Sequence, residues 1–243
     1  MKGKHVFGTV LLVTLVLMAF WPVNLNAQED QEKSSPFSAG ADLVSSYLWR
    51  GSKFGSGPAI QPYVEVGFGG FAIGGWGSYC FTSNEAAEAD LYASYSFDFG
   101  LSIGLTDYYY PGGYRSRLFA DSTIETEYDA GDYFDVEQHG FEINLGYEIK
   151  GFSIAANYMI NEGAGAAGGD MYFELGYATD HFGVFAGAGN GWHTSDGDFM
   201  LCNIGVSAAA EIAITESYSL PVNGALIWNP DQKQFHVVVG VSF

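Results

Sequence analysis

Carboxylates recurring on one side of alternating apolar stretches are the first chemistry this sequence offers. Asp42, Glu65, Asp90, Glu142, Glu148, Glu174 and Glu211 fall on the small or polar parity of such stretches, and Arg50 and His236 share it. Residues of one parity emerge on one face of a strand. Acids around a narrow wet passage would concentrate small cations and neutral polar solutes by focusing the field. Arg50 is the one arginine of this set and needs a partner wherever it is buried; Asp42 and Glu65 are the expected ones.

A second pattern could do nucleophilic chemistry. His193 and Ser195 are two residues apart, which would place them on one strand face, and Asp196 follows. A serine nucleophile needs an adjacent base and a third group that orients the base. No orienting residue is identifiable, and Ser195-Asp196-Gly197-Asp198 reads equally well as a turn. The segment 111–137 carries Asp121, Glu125, Glu127, Asp129, Asp132, Asp135 and Glu137 beside Arg115 and Arg117. It reads as a solvated acidic loop, with divalent-cation bridging or inward folding as sharper alternatives. Carboxylates are hard oxygen ligands, but EF-hand spacing is absent. Cys80 and Cys202 lie in distant strand-like segments and read as two unpaired packing residues. Neither a metal nor a cofactor is expected, because no CxxC or Cys/His spacing occurs.

Composition describes the medium these residues must work in. Among 243 residues there are 33 glycines and 40 aromatics, and charged residues make up 15%, against about 25% in ordinary soluble domains. An apolar share of 48% argues against disorder. A formal charge of −19 makes nucleic acid a poor partner, since phosphate contacts need clustered bases. Lys2, Lys4 and His5 lead into an apolar run from Val6 to Trp21, and the small-residue site Leu25-Asn26-Ala27 follows. That is the pattern of a secretory signal, and the run is short of the ~20 residues of a spanning helix. Residues 1–27 are therefore expected to be a signal peptide, 28–36 a disordered lead-in and 37–243 the folded domain. The exported chain would keep seven bases (nine less Lys2 and Lys4) against 28 acids, a formal charge of −21.

The elements that must position the acids are strands. Phe141, Ile143, Leu145, Tyr147 and Ile149 alternate with Glu142, Asn144, Gly146 and Glu148, and Phe235 to Phe243 alternates in the same way. Twelve such stretches occur, near 38–50, 59–68, 71–82, 86–98, 100–110, 138–149, 152–161, 170–179, 182–193, 199–214, 217–228 and 233–243. Every second connection is a turn of one to three residues, as at Gly69-Gly70 and Lys150-Gly151, and those between are longer. Short turns alternating with longer loops predict a single antiparallel transmembrane β-barrel, with the short turns periplasmic. Aromatics fall at both strand ends. Tyr47, Trp49, Tyr79, Phe81, Tyr108, Tyr158, Trp192, Phe199, Trp228 and Phe235 face the longer loops, and Phe71, Phe97, Phe99, Tyr147, Phe152, Tyr177, Phe182, Tyr218 and Phe243 the turns. Two belts at two interfaces are the expectation. Inward glycines such as Gly104, Gly146, Gly176, Gly187, Gly205 and Gly240 would keep the lumen uncrowded.

The terminal Phe243, with apolar residues at alternate positions before it, resembles the assembly signal of Gram-negative outer-membrane barrels. Asp42-Leu43-Val44-Ser45-Ser46-Tyr47-Leu48-Trp49-Arg50-Gly51, Pro58-Ala59-Ile60-Gln61-Pro62 and Gly74-Gly75-Trp76-Gly77-Ser78 resemble the start of the TorF-like porin family. That family has a Ser-x-Tyr-x-x-Arg-Gly strand, a Pro-Ala segment and a Gly-x-Trp-x-Ser strand. His193-Thr194-Ser195 resembles, more distantly, the His-x-Ser pattern of outer-membrane lipases and lipid A deacylases. The resemblances imply a porin-like channel in the outer membrane of a Gram-negative bacterium. Its partners would be outer-membrane lipids, the barrel assembly machinery and small solutes. A closed structural or ligand-binding barrel is the alternative, in which the inward side chains fill the interior.

Overall fold

Only a two-residue period puts every apolar side chain of a segment on one face, so the alternating stretches become strands. The computed structural model describes residues 35–82, 87–111 and 133–243. The expected signal peptide, nearly all of the lead-in and most of the acidic loop lie outside the described residues. Twelve strands form the wall of a closed antiparallel barrel. They are β1 (Phe37–Val44), β4 (Ala59–Phe68), β5 (Phe71–Cys80), β6 (Glu88–Ser96), β7 (Leu101–Tyr109), β8 (His139–Ile149), β9 (Phe152–Met159), β10 (Met171–Ala178), β11 (Phe182–Gly189), β12 (Met200–Ala213), β13 (Ser219–Asn229) and β14 (Gln234–Ser242). Between β1 and β4 stands a separate hairpin, β2 (Tyr47–Trp49) paired with β3 (Ser52–Phe54).

The barrel closes where β14 meets β1, through Asp42↔Ser242, Leu43↔Val241 and Val44↔Gly240. Main-chain bonds between Ala41 and Phe243, at 3.0 and 3.2 Å, extend this seam at its lower end. Tight turns close one rim: Gly69 and Gly70, and Lys150 and Gly151, all have positive φ, as two-residue primed turns demand. Longer connections crowd the other rim. Among the described residues no helix is long and apolar enough to cross a membrane.

Two expected strands end early. The stretch 38–50 is not one strand: β1 stops at Val44, and the chain turns inward at Ser45-Ser46. The stretch 182–193 stops at Gly189, and Gly191–His193 is a 3₁₀ turn. Both breaks belong to chain that leaves the wall for the interior.

Outward side chains are apolar and exposed along the whole wall, with Val64, Leu175 and Val237 among them. Tyr79, Phe81, Tyr158, Phe199, Trp228 and Phe235 expose their rings near the loop rim, and Phe71, Phe97, Phe99, Tyr147, Phe152, Phe182, Tyr218 and Phe243 near the turn rim. Tyr47, Trp49, Tyr108 and Trp192 do not join the loop-side belt. They are buried together inside the barrel.

Candidate functional site: a hairpin seated in the lumen

The site begins with a turn that only certain residues can make. Arg50 and Gly51 both have positive φ, 49° and 87°, which is the type I′ geometry that fits the twist of a two-residue hairpin. A Cβ on Gly51 would run into the Cys202 carbonyl oxygen, so glycine is also required by close approach. Asn229 Nδ2 donates to the Gly51 carbonyl at 3.1 Å, and Gln232 Nε2 donates to Ser52 Oγ at 3.1 Å.

At the tip, Arg50 reaches across the barrel to Glu142 on β8. Its Nη1 donates to Oε1 at 2.6 Å and its Nη2 to Oε2 at 2.8 Å, a bidentate pair in which neither residue is more than 3% exposed. Glu142 also accepts from Tyr108 Oη at 3.0 Å and Asn144 Nδ2 at 2.7 Å, which satisfies the remaining lone pairs. The guanidinium lies 4.6 Å from the Trp49 ring centroid and 4.6 Å from that of Tyr172. Trp192 and His193 complete the cage, each with its ring centroid 5.1 Å from that of Trp49. Burial, and then the neighbouring Arg50 charge, hold the His193 imidazole well below its ordinary value, so it is neutral. Asp170, in the loop before β10, is pushed up by burial while accepting from the Ala167 N–H at 3.1 Å.

The expected partners of Arg50 are therefore wrong. Asp42 accepts from Ser242 Oγ at 2.6 Å in the seam, and Glu65 accepts from Tyr92 Oη at 3.0 Å. Both sit in the turn-side half, whereas the hairpin carries Arg50 toward β8. Glu174 accepts from Tyr172 Oη and from Asn203 Nδ2. Asp90 is buried on β6; Glu148 and His236 are half-buried on β8 and β14, and Glu211 is exposed at the turn-side mouth. All have inward parity, but only Arg50 and Glu142 touch. Lys53 on β3 lies close enough to His236 to act on its charge, so Arg50 is not the only base brought inside.

His193 and Ser195 do not share a strand face. His193 Nε2 faces Arg50 Nη1 at 3.4 Å, while Ser195 Oγ donates to Asp231 Oδ2 at 2.7 Å in an exposed loop contact. Glu88, Tyr108 and Trp192 were not among the expected site residues. Glu88 shares the parity of Asp90 and could have been read from the Glu-Ala-Asp spacing. The cage depends on a loop and carries no comparable signal.

Below the hairpin, a cavity of about 80 Å³ is lined by Ser94, Ser102, Asn144, Glu148, Asn157 and Glu174, among others. Several inward glycines do not leave space there; they seat rings from the neighbouring strands. Tyr63 lies over Gly40, Tyr92 over Gly74, Tyr172 over Gly187 and Phe185 over Gly205. Cys80 and Cys202 are both free.

The family model described as "Bacterial protein of unknown function (Gcw_chp)" matches residues 29–164. The chain belongs to this family. The Gcw_chp span takes in the hairpin, Glu88, Asp90 and Glu142, whereas Tyr172, Trp192 and His193 lie beyond it. Among solved structures, the chain is similar to a KdgM porin at 11% identity and TM-score 0.45, over 85% of this chain and 98% of that one. It is also similar to a mutant of the Rh. blastica porin at 14% identity and TM-score 0.38, over 76% of this chain and 55% of that one. A comparison with curated protein sequences finds no match.

Proposed function

We propose that this Gcw_chp protein is a porin-like channel in the outer membrane of a Gram-negative bacterium, passing small polar or cationic solutes through an acidic lumen narrowed by the β2–β3 hairpin. The observation that carries this reading is a closed wall with opposite faces. Large apolar side chains are exposed all around the outside, a surface that suits lipid and would be unstable in water. Asp42, Glu65, Asp90, Glu142, Glu148, Glu174, Glu211 and His236 point inward. The sequence likeness to the TorF-like porins supports the same assignment. In this reading residues 1–27 direct export, Phe243 is read by the barrel assembly machinery, and the loop rim faces outward from the cell. The protein is not an enzyme: the one catalytic pattern, His193 with Ser195, is divided between an Arg50 contact and an Asp231 contact.

The hairpin favours a second reading, a barrel closed at rest. It touches the wall from β5 at Trp76 to β10 at Tyr172 and β14 at Val238. Planar-bilayer recordings on refolded protein decide between them. Small cation-preferring steps that grow several-fold when Tyr47–Phe54 is replaced by a short glycine-serine link support the channel. Silence in both forms, or anion preference, overturns it.

A further inference from the structure

Glu88 and Asp90 present an imbalance that the rest of the lumen does not share. They lie two apart on β6, both turned inward, and are 2% and 3% exposed. Their α-carbons are about 6–7 Å apart along the strand. Glu88 Oε1 accepts from Tyr110 Oη at 3.3 Å. The remaining oxygens, Glu88 Oε2 and both of Asp90, have no hydrogen-bond partner. The hydroxyl of Tyr47, itself 2% exposed, faces both carboxylates from the hairpin and is likewise unpartnered.

No cation among the described residues answers this charge. Arg50 is committed to Glu142 by both terminal nitrogens. The neighbouring strands offer Trp76 and Ser78 from β5 and Thr106 and Tyr108 from β7, with Tyr110 just past its end, and all are neutral. Two desolvated charges without a counter-charge are strongly unfavourable, and so are four orphaned buried oxygens.

We propose that Glu88 and Asp90, roofed by the Tyr47 hydroxyl, form a binding site for one hard divalent cation, Ca²⁺ or Mg²⁺. Two carboxylates balance a charge of two. A donor set made only of oxygen selects hard cations over zinc or copper. Water completes the shell. The bound ion would tie the hairpin to β6 on the side away from the Arg50–Glu142 pair, so the plug would have two anchors. The site does not depend on the channel reading, since binding is measured without conductance.

The test uses the full chain refolded in detergent and stripped with a chelator. Ca²⁺ and Mg²⁺ are titrated by equilibrium dialysis, and thermal unfolding is followed by loss of the compact, fast-migrating gel form. The expected result is a saturable site at one ion per barrel with a raised unfolding midpoint. Asp90→Asn and, separately, Glu88→Gln should weaken binding at least about tenfold while still giving the compact form. A chain with Asp121, Glu125, Glu127 and Asp129 changed to amides should keep the site, which separates it from the acidic loop. No saturable binding at millimolar ion overturns the proposal. So does binding that survives both β6 variants and disappears with the loop. Stabilisation by acid alone, with no ion taken up, overturns it in favour of a shared proton.

Discussion

The loop-side and turn-side halves of the lumen are built from the same alternating strands, yet they are different interiors. The loop-side half is dry and filled. Trp49, Tyr108, Trp192 and Met159 pack there as a core, and the charges inside it, Arg50, Glu88, Asp90 and Glu142, are all within 3% of complete burial. The turn-side half keeps Glu65, Glu148, Glu211, Asp42 and His236 at least partly open to the interior space. In the first, a charge is tied to stability; in the second, it is free to act on a passing solute. One parity rule thus gives two kinds of acid, and the hairpin decides which kind each becomes.

The contrast is broken most severely at Glu142. Glu142→Ala leaves Arg50 buried without its partner and should destabilise the barrel by about 3–5 kcal/mol. Thermal loss of the compact gel form measures this, and single-channel steps should grow as the hairpin loosens. Gly51→Val acts on the same element through its backbone. It forces a branched residue into positive φ against the Cys202 carbonyl, and should cost about 1–3 kcal/mol from strain before any clash. A wild-type melting profile for this variant would show that the hairpin is not held as described.

Acid should weaken the loop-side half specifically. His193 stays neutral when folded, whereas in the unfolded chain it takes up a proton below its ordinary value of 6.5. Its contribution is therefore complete above that pH and is lost as the pH falls below it, with a slope of at most about 1.4 kcal/mol per pH unit. His193→Gln should flatten this part of the stability profile, and an unchanged slope would assign the effect to another group. The smallest effect on stability belongs to the turn-side half. Glu148→Gln should change stability by less than about 0.5 kcal/mol, yet lower the cation preference read from reversal potentials. A large loss of stability there would erase the distinction between the halves.

The wall was legible in the sequence because alternation is a local signal. The strand near 59–68 is found at those residues as β4, and most of the others differ by one or two residues at an end. The hairpin was hidden by the same rule. Val44, Ser46, Leu48 and Arg50 continue the inward parity of β1, so a strand that leaves the wall still reads as one that stays in it. The clue available was the Arg50-Gly51 pair, a sound turn signal of the primed type, preceded by two serines. The Arg50–Glu142 pair spans 92 positions and carries no local mark. The loop-side aromatics were misplaced for a related reason. An aromatic ring serves equally at an interface and in a core, and only the fold of the connecting segments tells Trp228 from Trp192.

The short seam between β1 and β14 gives the hairpin a mechanical role. Leu48 packs on Ala225, Ile227 and Val238 of β13 and β14, while Tyr47 sets its ring 5.6 Å from that of Trp76 on β5. Those contacts lie on opposite sides of the closure, so the hairpin spans it from within like a strut inside a hoop. Parting the wall sideways, toward lipid, would require tearing the strut from one of its seats. It also imposes an order of construction. The strut is made early in the chain and the closing strand last, so the hairpin must be in place before the ring is shut, and a barrel closed without it would be left with an unbraced joint.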